Sequence, residues 1–276
     1  MNPIRFSLVT VTYQAAATLE RTLRSVLRQS PPHDIEYWIV DGGSTDDTLA
    51  IVKRHEARLA GWTSEPDRGI YDAMNKGIAR ATGDWVGIVN ADDWLAPDAL
   101  DAVAEAVREA PDAGVVVGGL VRVTEDGEMG THVPPPARFS CLQPNNHPAT
   151  FVRRDVYERL GVFNLAYPIS ADLEFILRAQ RSAAVRILTT PHTLAYMTSG
   201  GASYGFRGML ESVAIEHVYA GPISAARLLA RKSIQKGRAM ALKHLLPART
   251  FKRLQQAWWS QRHASAYRLS DDERIF

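Results

Sequence analysis

What most constrains this chain is an alternation sustained from residue 6 to about residue 110. Short runs rich in Val, Ile and Thr take turns with longer stretches whose apolar residues recur every three to four positions. Runs without polar alternation suit strands buried on both faces, and the longer period marks helices that cover them, so the pattern predicts a parallel α/β sheet. Phe6 to Thr12 reads as the first strand, and Thr18 is placed to cap a helix with Leu19, Leu23, Val26 and Leu27 on one face. Ile35 to Val40 is a second strand. It ends at Asp41-Gly42-Gly43, and Ser44 with Asp47 has the spacing of a capping box for the next helix. A third helix spans Ile70 to Ala81, closed by Gly83, and is followed by a strand from Trp85 to Val89. Pro97 then suits the first turn of a helix that turns Leu100, Val103 and Val107 inward. Ligands of such sheets sit beyond the carboxyl ends of the strands. Thr12-Tyr13, Asp41 and Asn90 to Asp93 all fall at those ends, so they should converge on one crevice.

The second half is less regular. Gly114 to Val123 and Met129 to Val133 can pair as a hairpin about Asp126-Gly127, and Pro134-Pro135-Pro136 opens a long loop to Asn146. Helices are expected over Val152 to Leu160 and Ala171 to Ala179, the latter burying Leu173, Ile176 and Leu177. From Phe206 onward the composition is helical, interrupted at Gly221-Pro222 and Pro247. Charge divides the chain: residues 222–276 carry 12 Lys/Arg against 3 Asp/Glu, whereas residues 1–221 carry 20 against 27. A carboxylate-rich body with a basic tail implies an anionic partner for the tail.

A chain of 276 residues, 46% hydrophobic and 22% charged, can bury a large core, which excludes disorder throughout. The one cysteine, Cys141, excludes an internal disulfide and has no Cys or His cluster around it. Neither a leader pattern at the start nor an apolar run of about 18 residues is present. The expectation is a cytoplasmic protein, with peripheral attachment to the inner face of the cytoplasmic membrane as an option.

Several segments carry chemistry. Asn90-Ala91-Asp92-Asp93 puts adjacent carboxylates at a strand end, where their repulsion is relieved either by a divalent ion with a bound diphosphate or by capping of the next helix. Asp41-Gly42-Gly43-Ser44 is either a plain strand-to-helix turn or a place where Asp41 meets a base imide while the glycines allow close approach. Within Glu65-Pro66-Asp67-Arg68-Gly69-Ile70-Tyr71-Asp72, Asp67 is either a solvated turn residue or a contact to base or ribose, with Gly69 admitting the nucleotide.

Together these stretches resemble the inverting glycosyltransferases of family 2, which have the GT-A fold. The resemblance is carried by Ser7-Leu8-Val9-Thr10-Val11-Thr12-Tyr13, Val40-Asp41-Gly42-Gly43-Ser44-Thr45-Asp46, Asp67-Arg68-Gly69-Ile70-Tyr71-Asp72-Ala73-Met74-Asn75-Lys76-Gly77, and Ala81-Thr82-Gly83-Asp84-Trp85 through Asp93. It implies a Rossmann-like mixed sheet flanked by helices, with a GT-A domain over residues 1–205 and a basic helical extension over 206–276. Residues 1–110 would be the nucleotide-sugar half and 111–205 the acceptor half. By the same resemblance, Thr12, Tyr13, Asp41, Asp67, Gly69, Asn90 and Ala91 should bind the nucleotide, usually uridine. Asn90 departs from the family, which commonly has the first aspartate of a D-x-D motif there. Because an amide is a poor metal ligand, Mn²⁺ or Mg²⁺ falls to Asp92 or Asp93, with Asp92 favoured.

The family's base lies in a short acidic motif at a helix start, and Ser170-Ala171-Asp172-Leu173-Glu174-Phe175 matches it. The base is carried over to Asp172, with Glu174 as rival two residues along the helix. Asn146-His147-Pro148-Ala149-Thr150 also resembles a family segment and puts His147 on the acceptor or diphosphate side. Ser199-Gly200-Gly201-Ala202-Ser203 resembles a loop that closes over the donor, with His192 before it as either a metal ligand or an ordinary strand residue. The implied partners are a nucleotide-sugar donor and a glycan or lipid-linked acceptor, as in lipopolysaccharide, capsule or exopolysaccharide synthesis. The basic tail over 222–276, which includes Trp258-Trp259, fits either an anionic membrane surface or a helical extension that packs on the acidic body or forms an oligomer, and no nucleic-acid motif accompanies its charge. A nucleotide-sugar pyrophosphorylase would need a Gly-rich basic loop that Thr12 to Thr18 lacks. Asp92, Asp93 and Asp172 speak against a non-catalytic binding protein, and no G-x-G-x-x-G follows the first strand.

Overall fold

The computed structural model describes residues 4–29, 33–123, 129–141, 146–198, 205–245 and 266–268. Along the chain these form β1 (Arg5–Thr12), α1 (Leu19–Leu27), β2 (Asp34–Asp41), α2 (Thr48–His55), β3 (Gly61–Ser64), α3 (Ile70–Ile78), β4 (Trp85–Ile88), β5 (Trp94–Leu95) and α4 (Ala99–Glu109). Then follow β6 (Ala113–Val123), β7 (Met129–Val133), β8 (Thr150–Arg153), α5 (Arg154–Leu160), α6 (Ala171–Arg181), β9 (Arg186–Thr198), α7 (Phe206–Ala220), α8 (Pro222–Leu245) and β10 (Ala266–Arg268).

The sheet runs β10-β7-β6-β8-β4-β1-β2-β3, with β9 pairing both β6 and β5. Its N-terminal half is parallel, as the burial pattern requires: β1 lies between β2 and β4, and β3 adds beyond β2. Alternate residues of β1 feed two cores. Phe6 and Leu8 pack with Leu19, Leu23, Val52 and Leu100 on one face, while Val9 and Val11 pack with Met74, Ile78 and Phe175 on the other. Gly77 makes the second contact close, since a Cβ there would lie 2.3 Å from the Val9 side chain, so α3 is pressed onto β1.

The second half of the sheet mixes directions. β6 pairs antiparallel with β7 and β8 and parallel with β9. The segment beginning at Val152 starts as strand, contrary to the helix expected over Val152 to Leu160. Val152 is laddered between Val86 of β4 and Val115 of β6, and the helix begins only at Arg154. Here a two-sided pairing opportunity outweighs the local helical period. Other boundaries also move. Thr18 precedes α1 but makes no side-chain capping bond, α3 stops at Ile78, and Pro97 lies two residues ahead of α4. The proposed capping box does not form, because Ser44 Oγ donates to Asp41 and α2 starts later, at Thr48. β3, β5 and the long β9 carried too little periodicity to be read from sequence. The turn at Asp126-Gly127, the Ser199 to Ser203 loop, Pro247 and Trp258-Trp259 lie outside the described residues.

Helices α7 and α8 join the body. Ile215 and Leu228 are buried in the same core as Phe175 and Ile176, and Tyr219 donates to Glu174 at 2.6 Å. The extension is not helical throughout, since β10 returns to pair antiparallel with β7 at the sheet edge.

Candidate functional site

Parallel pairing sets the strand ends level: Thr12 of β1 is in register with Asp41 of β2, and Ala91 N donates to the Val11 carbonyl at 3.2 Å. Beyond those ends lies an open cleft of about 430 Å³. Thr12, Tyr13, Asp67, Gly69, Asn90, Ala91 and Asp92 all line it, together with Gln14, Thr18, Ile70 and Ala73. Thr12 Oγ1 and Asn90 Oδ1 are buried there without a hydrogen-bond partner. Buried polar atoms are rarely left without a partner, so both are free to meet a ligand's groups in the cleft.

Asp41 does not line this cleft. It is fully buried, and its carboxylate accepts from Gly43 N at 3.0 Å, Ser44 N at 2.8 Å, Ser44 Oγ at 2.5 Å and Ser64 Oγ at 2.6 Å. Its work in this structure is to hold the β2–α2 turn. That turn seats the true wall of the cleft: a Cβ on Gly42 would lie 2.5 Å from Asp67 Oδ2, so only glycine lets Asp67 fold over it. Asp67 Oδ1 in turn accepts from Gly69 N at 2.7 Å, and Gly69 adopts φ +113°, a conformation that favours glycine.

The two carboxylates of the Asn90–Asp93 turn separate. Asp92 is exposed in the cleft, whereas Asp93 is buried behind it. Asp93 accepts from Thr198 N and from the Asn90 amide, both at 3.2 Å. Burial, then the neighbouring Asp92 charge, pushes the Asp93 carboxyl well above the usual range. Asp93, expected to share the metal with Asp92, does not line the cleft here and braces the turn. Among the described residues no three His, Cys, Asp or Glu gather to hold an ion alone. Asp92 in the cleft fits Mg²⁺ or Mn²⁺, hard ions that take few protein carboxylates and complete their shell with phosphate and water.

Asp172 and His147 meet in a small enclosed cavity with Ile88, Tyr157, Phe163 and Phe175. Asp172 accepts from the Tyr71 hydroxyl at 2.6 Å. His147 is held by the short turn His147–Ala149, and its Nε2 is buried without a partner. Burial lowers the imidazole's pKa, against the pull of the Asp172 charge. Glu174, expected on the acceptor or diphosphate side, lines neither cavity and instead makes an ion pair with Arg178 at 3.0 Å and accepts from the Tyr219 hydroxyl. One helix serves both regions: Ile70 and Ala73 of α3 line the cleft while Tyr71 reaches Asp172. His192 lies exposed within β9.

Sequence reasoning missed the supports of the turn. Arg21 of α1 lies 3.7 Å over the Trp94 ring, which stacks on Tyr196, and it donates to the Asp92 carbonyl at 3.0 Å. Thr198 Oγ1 donates to the same carbonyl at 2.8 Å. A single cation on the polar face of a helix carries no signal of this; only the crossing of α1, β5 and β9 reveals it. Gln14, at φ +50°, also went unread; it stitches the β1–α1 loop to the β2–α2 turn through Ser44 Oγ and Thr45 Oγ1 at 2.8 Å each.

Comparison with known proteins follows the same outline. The glycosyl transferase family 2 model matches residues 7–162. An uncharacterized glycosyltransferase of Mycobacterium tuberculosis is 35% identical over 177 residues, 63% of this chain and 68% of that protein. A PGL/p-HBAD biosynthesis glycosyltransferase of Mycobacterium bovis is 32% identical over 215 residues, 76% of this chain and 80% of that protein. Among solved structures, mannosyltransferase PcManGT from Pyrobaculum calidifontis, in complex with GDP-Man and Mn²⁺, superposes with TM-score 0.62 at 22% identity, covering 94% of this chain and 85% of that one. S. aureus TarS 1-349 in complex with UDP gives 0.58 at 19% identity, covering 90% and 73%. The match to the longer TarS structure spans 42% of that chain. At these identities the structural likeness concerns the fold, a mixed α/β sheet of GT-A type.

Proposed function

The chain belongs to glycosyl transferase family 2, and on that premise we propose that it moves a sugar from a nucleoside-diphosphate donor, in the first instance a UDP-sugar, to an acceptor hydroxyl with inversion at the anomeric carbon. The observation that carries this reading is the convergence of Thr12, Tyr13, Asp67, Asn90 and Asp92 on one cleft at the strand ends. Thr12 and Asp67 offer hydrogen bonds to the nucleoside, and Asn90 offers its unpartnered oxygen to a ribose hydroxyl. Asp92 would hold Mn²⁺ or Mg²⁺, which when bound offsets the charge of the departing diphosphate. Asp172 takes the proton of the acceptor hydroxyl as that oxygen bonds to the anomeric carbon and the bond to the diphosphate oxygen breaks. His147, buried beside it, borders the acceptor side. A panel of UDP- and GDP-sugars, assayed for hydrolysis and transfer with Mn²⁺, Mg²⁺ or chelator, tests the proposal. Metal-dependent release of the nucleoside diphosphate supports it, and inertness across the panel overturns it.

The acceptor is proposed to be lipid-linked, with α7 and α8 resting on an anionic membrane surface. Exposed Phe206, Leu210, Val218, Ile223 and Ile234 lie on these helices with exposed Arg207, Arg227 and Arg231. Apolar side chains bordered by cations suit the headgroup layer. No helix among the described residues is long and apolar enough to cross a membrane.

A further inference from the structure

Helix α6 starts directly after the peptide segment Ile169–Ser170, which its own cap does not hold, for Ser170 makes no side-chain capping bond. The segment is held from outside. Glu211, on α7, accepts from the backbone N–H of Ile169 at 2.8 Å and of Ser170 at 3.0 Å, both through one carboxylate oxygen. Its side chain is only 11% exposed, and its other oxygen faces Arg207 Nε at 3.4 Å. The two peptide N–H groups replace water at one oxygen, while the other is buried without a hydrogen-bond partner.

The same segment is gripped from the opposite side by α3. Tyr71 Oη lies 2.6 Å from Asp172 Oδ1 and 3.1 Å from the Ile169 carbonyl oxygen. One phenolic proton serves two acceptors, so it belongs chiefly to the shorter bond. Burial, and then the charge of Asp172, keep the phenol protonated far above its ordinary range, so it remains a donor. Tyr71 also stands between Ile70 and Ala73, which line the donor cleft. A movement of α3 therefore carries the cleft wall and the Asp172 contact together.

We propose that Tyr71 and Glu211 are positioning residues for Asp172: the phenol fixes one oxygen of its carboxylate, and the Glu211 carboxylate fixes the peptide from which α6 starts. The inference rests on the reading of Asp172 as the base. It gives α7, the first helix of the extension, a part in the chemistry, and it explains why an acid on that helix is buried against a loop forty residues away. A base displaced by about 1 Å can lose on the order of a hundredfold in rate while substrate binding survives.

The test uses the full chain, with the nucleotide sugar that the wild type turns over best and with UDP plus Mn²⁺ for calorimetric binding. Tyr71→Phe and Glu211→Ala are each expected to lower kcat about tenfold or more, with donor KM and UDP affinity within about twofold of wild type. Glu211→Gln, whose amide oxygen still accepts, should recover much of the loss seen in Glu211→Ala. In an Asp172→Asn background the Tyr71→Phe change should cost little more, because the group it positions is gone. Undiminished kcat in Tyr71→Phe, or losses that multiply independently with Asp172→Asn, would overturn the positioning role. So would a defect confined to KM, UDP binding or thermal stability. Full activity of Asp172→Asn alone would instead remove the base assignment, and a wild type inert with every donor would remove the transferase reading on which both stand.

Discussion

The adjacent aspartates that follow β4 sit in different environments. Asp92 stays in water at the cleft, while Asp93 is buried on Thr198 and Asn90. Asp92→Asn should lower transfer on the order of a hundredfold or more, because the charge proposed to hold the ion is lost. Calorimetry should then show UDP binding with the same affinity with and without Mn²⁺; a variant still stimulated by Mn²⁺ would reassign the ligand. Asp172→Asn should keep UDP affinity but lose transfer by about a hundredfold to ten-thousandfold, as removal of a general base does. Loss confined to Glu174→Gln would move the role, although Glu174 is occupied by Arg178 and Tyr219.

At the scale of elements, the end of the sheet opposite the cleft is held by a buried acid that the reaction does not use. Glu36 of β2 accepts from Ser7 Oγ of β1 at 2.5 Å and from Thr82 N and Oγ1, in the turn before β4, at 2.8 and 3.0 Å. It thus ties three neighbouring segments below the crevice. Burial by itself would raise this carboxyl, but the hydrogen bonds from Ser7 and Thr82 outweigh it and leave the group below its ordinary value of 4.5. A folded value below the unfolded one means that the stabilisation is complete above the ordinary carboxylate range and is lost as pH falls through the lower folded value. Glu36→Gln should cost about 1–3 kcal/mol at neutral pH and flatten the acid side of the stability profile. Urea unfolding at pH 7 and pH 4 measures both; an equal deficit at the two pH values would contradict the charge-based account.

For the whole molecule, the division of charge and the position of the extension meet. Ala225 and Leu228 are buried, so removing residues 222–276 would uncover core as well as remove cations. Surface variants are the cleaner probe. Wild-type protein is expected to float with vesicles containing anionic lipid, less so as salt rises, with each surface cation contributing about 1 kcal/mol. Ile223→Ser with Arg227→Glu and Arg231→Glu should abolish flotation while leaving hydrolysis of the nucleotide sugar in solution unchanged. Equal flotation of wild type and variant, or binding to neutral vesicles alone, would rule out these helices as the docking surface.

Which of these features could be read from the chain depended on how far apart the cooperating residues lie. The parallel half and the cleft residues Thr12, Asn90 and Asp92 were legible because the apolar period fixes their strands and each strand's C-terminal residue lies next in sequence, whereas Asp67 follows the unread β3 and was singled out through the family resemblance. Parallel packing then brings all such ends to one side whatever the details. The roles within the cleft were not legible. Asp41 and Asp67 look alike as turn acids, and only tertiary contact turns the first inward onto Ser44 and Ser64 and leaves the second on the wall. The same holds for Val152, helical by local period but claimed as strand by β4 and β6, and for Glu211, an ordinary helix acid until α7 folds against Ile169 and Ser170. Local periodicity is written in neighbouring residues. The partner that uses up a carboxylate, or completes a strand's ladder, comes from a distant part of the chain, and its arrival is decided by packing.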